Sequence, residues 1–197
     1  MNENKDKNKN KKIIIFILFL MVVVVSVTYA WFTWQSSNTT ISGSTDCFTI
    51  NYDKGSDIGS NDNPSNLRPV CDYKEGDNVV LSINVDSSCN VTGTGKINLT
   101  TTTFDLENGT SAFSLSNSSE ILKYKVVKVS GSTETEVSGC SGNVNSLGTI
   151  GLCDISVTSN VDTYKVYLYM DCNTATIDYI GASYAGYIQT AVTQDID

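Results

Sequence analysis

Thr163-Tyr164-Lys165-Val166-Tyr167-Leu168-Tyr169-Met170 is the stretch on which the reading of the fold turns. β-Branched and aromatic residues fit a pleated, packed surface. Strand alternation puts Tyr164, Val166, Leu168 and Met170 on one face and Lys165, Tyr167 and Tyr169 on the other. Both faces are largely apolar. A strand of that kind belongs in the middle of a sheet, covered on both sides.

Outward from it, the same short alternations recur, bounded by Gly, Asn, Asp and Ser. Cys47 to Tyr52, Val79 to Val85, Lys96 to Thr100, Leu122 to Val129, Leu152 to Val157 and Tyr184 to Val192 are further strand candidates. Val79, Leu81, Ile83 and Val85 share one face. Lys123, Lys125 and Lys128 mark a solvent side. No long amphipathic helical period and no internal repeat interrupts the series. Ser, Thr and Asn make up roughly a third of the 197 residues, a bias towards strands and turns. The expected fold is all-β, a single jelly-roll-like β-sandwich over residues 47–197, and a chain of that length buries a sizeable core.

The N-terminus is different. Residues 1–12 hold five lysines, and Ile13 to Val25 is an unbroken apolar run. A basic head before an apolar stretch is the pattern of an export signal. Residues 1–12 then form a cytoplasmic n-region, and the remainder, with eight basic against 19 acidic residues, lies outside the membrane. From Ile13 to Trp34 there are 22 uncharged residues, and about 20 suffice for a helix to cross a bilayer. Segment 13–34 therefore reads either as a signal peptide cut between Ala30 and Trp31, with Thr28 and Ala30 as the small residues of the site, or as a retained membrane anchor with Trp31 and Trp34 in the interfacial belt. Residues 35–46 are a polar linker. No lipobox cysteine or C-terminal sorting motif accompanies the signal.

All six cysteines, Cys47, Cys71, Cys89, Cys140, Cys153 and Cys172, follow the apolar run. An even count in an exported portion reads as disulfides. Zinc needs close pairs, and the nearest two here are 13 apart. The local candidate is Cys140–Cys153, flanking the turn-rich Ser141 to Gly148; spacing does not give the other pairs. Free buried thiols are the competing use.

The chain has no histidine, which excludes Ser-His-Asp and Cys-His catalysis and imidazole zinc motifs. A net charge of −8 does not suit nucleic acid. No phosphate loop is present and no pair of carboxylates stands out, so no catalytic, cofactor or metal residue is expected. The loop Asp53 to Pro64 is rich in oxygen donors but lacks the phasing of a calcium loop, and reads as an ordinary polar turn. Tyr179, Tyr184 and Tyr187 form an aromatic group whose alternation favours core packing over an exposed patch. Five Asn-x-Ser/Thr sequons, at Asn38, Asn90, Asn98, Asn108 and Asn117, are what this composition produces by chance.

Val27-Thr28-Tyr29-Ala30-Trp31-Phe32-Thr33, closing a basic and then apolar leader, resembles the signal region of the TasA/camelysin-like exported proteins of Gram-positive-type bacteria. Asn38-Thr39-Thr40 and Phe48-Thr49-Ile50 are similar to that family's polar segment and first strand. Leu67-Arg68-Pro69 and Gly76-Asp77 are similar to its turn ahead of the second strand. The resemblance implies processing by a SipW-type signal peptidase and a jelly-roll subunit of a biofilm-matrix fibre. It further implies self-association in which an N-terminal segment, here Trp31 to Ile41, completes a neighbour's sheet. The metallopeptidase label of some members does not carry over to a chain without histidine. The expected function is a non-enzymatic exported structural protein of the cell surface or matrix. The alternative is a membrane-anchored adhesin or binding module.

Overall fold

The central stretch occupies the centre of its sheet in a computed structural model, which describes residues 47–115 and 120–195. Eleven strands are described: β1 (Phe48–Tyr52), β2 (Asp57–Ile58), β3 (Ser65–Asn66), β4 (Pro69–Val70), β5 (Asp77–Val85), β6 (Gly93–Asp105), β7 (Leu122–Ser130), β8 (Thr133–Asn143), β9 (Gly148–Val157), β10 (Asp162–Asp171) and β11 (Ser183–Gln194). One sheet runs β1-β5-β10-β7-β8, and the other β2-β11-β6-β9. The long pairings are antiparallel, and the arrangement is sandwich-like. The exception is β4, which pairs in parallel with the end of β10, and β3 adds to β11. The expected helix at 13–34, the head 1–12 and the linker 35–46 lie outside the described residues.

β10 pairs β5 on one side and β7 on the other. Its Tyr164, Val166, Leu168 and Met170 enter the core. So do Val79, Leu81, Ile83 and Val85 of β5, Ile97 and Leu99 of β6, and Ile155 and Val157 of β9. Strand alternation thus delivers one apolar face per sheet, and burial of those faces drives the sheets together. An aromatic group closes one end of the core: Phe104 lies edge-on to Phe113 at 5.2 Å and to Tyr184 at 6.3 Å, and stacks on Tyr179 at 6.4 Å. Tyr52 of β1 reaches across the sandwich and donates to Thr190 Oγ1 of β11 at 3.2 Å.

Several boundaries differ from the sequence reading. β6 spans 13 residues, because Gly93 to Gly95 and Thr101 to Asp105 continue the ladder against β11 at the two ends of the expected run, the latter through a register shift. β8 is a strand that the sequence pattern does not mark: its Gly139, Gly142 and alternating Thr and Glu (Thr133 to Glu136) carry no apolar periodicity. Ser141 to Asn143 belong to β8, so the turn joining it to β9 is shorter than the turn-rich stretch suggested. Lys128 points to the opposite face from Lys123 and Lys125, at the rim of the core over the Tyr164 ring, where its ammonium meets Asp162 at 2.7 Å.

Candidate functional site

Three disulfides frame the molecule. Cys140 and Cys153 are both 5% exposed and join edge strand β8 of one sheet to edge strand β9 of the other. Cys47, one residue before β1, bonds Cys89 in the turn after β5. Asp86 donates its N–H to the Cys47 carbonyl at 2.7 Å, so the bridge closes the mouth of the β1–β5 pair. Cys71 follows β4 and Cys172 follows β10, so that bridge adds a covalent rung to the parallel pair. Cys172 donates its N–H to the Val70 carbonyl at 3.1 Å beside it. Chain-entropy reasoning gives about 3, 4 and 4.7 kcal/mol for loops of 13, 42 and 101 residues.

Next to Cys71–Cys172 the chain rises out of the sheet. A one-turn 3-10 segment, Tyr73–Glu75, lies over the outer face of β10, with its N-terminus capped by the Asp72 carboxylate at 3.0 Å. The Tyr73 ring sits edge-on to Tyr167 at 5.1 Å, leaving Tyr167 only 1% exposed although it points away from the main core. The chain then returns through Gly76, where a Cβ would lie 2.5 Å from the Leu168 carbonyl oxygen. This strap explains why both faces of β10 are apolar.

Under and around it is a charged network. Glu134 accepts from the Tyr167 hydroxyl at 2.7 Å and from Lys165 at 3.3 Å, while Lys74 stands 3.6 Å away. The Tyr167 bond first, then Lys165, hold the Glu134 carboxyl below its ordinary range. Lys123 pairs with Asp171 at 2.5 Å, and Lys125 pairs with Glu136 at 3.0 Å while lying over the Tyr73 ring. The Lys123 hydrogen bond lowers Asp171 and raises its own ammonium. Every one of these charges has a counter-charge within salt-bridge distance, so the network ties the strap to β7, β8 and β10.

The sheet edges are unequal. β8 carries Glu134 and Glu136 and an irregular register against β7. β2 and β3 are two residues each. β9 holds Asp154, Gly148 and Gly151 and a register shift against β6. These are features that discourage edge-to-edge pairing. β1, Phe-Thr-Ile-Asn-Tyr, has neither charge nor proline, and among the described residues nothing pairs its outer side.

The remaining sequence candidates disperse. Tyr179 and Tyr184 are fully buried, and the Tyr184 hydroxyl meets Thr101 Oγ1 at 3.0 Å; Tyr187 is half-buried beside Thr100. The Asp53 to Pro64 loop supplies β2, which is laid on β11, with the Ser56 carbonyl accepting from Ile188 at 2.7 Å. Among the described residues no group of three acidic, cysteine or histidine side chains is placed to hold a metal. The cleavage candidates Ala30 and Trp31 lie outside the described residues. Sequence reasoning missed the strap and its network; the only signal was that Tyr167 and Tyr169 needed a cover.

Comparison with known protein families finds no matching model, and comparison with curated proteins finds no similar sequence.

Proposed function

We propose that the chain is a non-enzymatic structural protein, exported to the cell surface or biofilm matrix, whose jelly-roll-like sandwich joins its neighbours through the N-terminal segment Trp31 to Ile41. The observation that carries the reading is the β1 edge, an uncharged strand that begins seven positions after Ile41 and has backbone groups available for augmentation by another chain. Three disulfides suit an oxidising compartment outside the cytoplasm. Electron microscopy and sizing of the purified mature protein test it. Concentration-dependent filaments, lost on deleting Trp31 to Ile41, are expected; monomers at every concentration and pH would overturn it.

The second reading, a membrane-anchored adhesin or binding module, is favoured by one observation, the 22 uncharged residues from Ile13 to Trp34. N-terminal sequencing of protein from its native cells separates the two. A start at Trp31 supports the secreted subunit, and a start at Met1 or Asn2 in the membrane fraction supports the anchor.

A further inference from the structure

Cys47 and Asp195, where the described chain begins and ends, meet at one end of the sandwich. The Cys47 carbonyl accepts from Asp86 and the Asp195 N–H donates to the Thr92 carbonyl, and both partners lie in the turn between β5 and β6. Tension applied between these ends does not act on the whole chain. From Cys47 it crosses the disulfide to Cys89, runs back along β5 to Cys71, crosses to Cys172 at the far end of β10, and returns along β11. β1 to β4 and β6 to β10 hang outside that path, and Cys140–Cys153 lies wholly within the bypassed part.

We propose that the disulfides bound how far this domain extends under tension, with β5 and β11 the only strands in the force path. The inference goes beyond the function above and rests on it in one respect, that the N-terminal segment is where the domain is attached. The chain that tension can draw out is the run from Cys71 to Cys89 plus the run from Cys172 to Asp195, about 41 residues or roughly 140 Å fully extended, against roughly 500 Å for the ~148 residues from Cys47 to Asp195. Ladder bonds of strands in the path can be peeled one at a time, but covalent bonds then stop the extension. The Cys47–Cys89 bridge has a second consequence. Without it a pull on the N-terminal segment would strip β1, a five-residue edge strand, before anything else. With it the tension passes over β1 to β5, which is paired on both sides.

Single-molecule force spectroscopy tests this on the full-length chain in detergent, held by peptide tags inserted after Ser42 and after Asp197. The oxidised protein is expected to lengthen by the equivalent of about 41 residues and no more. Replacing Cys71 and Cys172 by Ala reroutes the tension through Cys140–Cys153 and is expected to raise the extension about 2.3-fold, to ~93 residues. Should that variant not fold, the wild-type chain held at constant force with a reductant gives the same information. The step of about 13 residues from Cys140–Cys153 then follows the large step from Cys71–Cys172 and never precedes it. Oxidised extension near the full ~148 residues, no change in the variant, or a 13-residue step first would each overturn the proposal. Force traces read only the covalent path, whereas the attachment itself is read by the N-terminal sequencing above, so the two ideas fail separately.

Discussion

Removing the disulfides one pair at a time sets two physical accounts of their stabilisation against each other. Cys140 and Cys153 are buried between the sheets, whereas Cys71 is exposed and Cys172 only half-buried. If the bridges act by packing, replacing Cys140 and Cys153 with Ala costs more. If they act by restricting the unfolded chain, loop length decides. The loops are 13 and 101 residues, and the second shortens to about 88 because Cys140–Cys153 cuts across it, a correction of about 0.1 kcal/mol. Loop closure then gives about 3 kcal/mol for Cys140–Cys153 and about 4.7 kcal/mol for Cys71–Cys172. The difference, about 1.7 kcal/mol, is a factor of roughly 18 in the unfolding equilibrium. Urea unfolding of the two double variants, with the slope checked for constancy, measures it. For a domain of this size the larger loss corresponds to about 9–19 °C in Tm. An equal or greater loss for the Cys140/Cys153 pair would refute the loop-closure reasoning and assign the stabilisation to sulfur packing at the sheet interface.

Other consequences are simpler to state. Gly76→Ala drives a methyl to within 2.5 Å of the Leu168 carbonyl oxygen and 2.7 Å of the Tyr169 Cβ, both fixed by the sheet, and should cost about 1–3 kcal/mol in thermal unfolding. Tyr184→Phe leaves the Thr101 hydroxyl, 2% exposed, without its partner and should cost about 1–3 kcal/mol, most of it recovered when Thr101→Val is added. Burial pushes the Tyr184 phenol up to about 12 from 10.0. The folded protein then holds a proton that the unfolded chain has lost, so this contribution is complete below pH 10 and fades as pH rises towards 12. Alkaline unfolding followed by tyrosinate absorbance should therefore be less steep in Tyr184→Phe. Asp171 is lowered by Lys123, so its contribution is present above its ordinary value of 3.8 and is lost as pH falls below it. Asp171→Asn should destabilise by about 1 kcal/mol at neutral pH, with the difference from wild type vanishing in acid unfolding.

Alternation along the chain marks most of the long strands, which of their faces are apolar, and that Thr163 to Met170 is covered on both sides. Each follows from backbone pleat and side-chain type within a few residues. It missed β8, an exposed edge strand with glycines and no apolar repeat, because such a strand is held by its neighbours' hydrogen bonds rather than by its own pattern. The local Cys140–Cys153 pair was visible from spacing. The partners of Cys47 and Cys71 were not, because they depend on β1 and β5 lying side by side and on β4 reaching the end of β10. The cover on Tyr167 likewise comes from a strap about 90 residues earlier in the chain. Strand order, sheet-to-sheet contact and the bridges that follow from them are set by burying all the apolar faces at once, a condition on the whole chain that no window of its sequence contains.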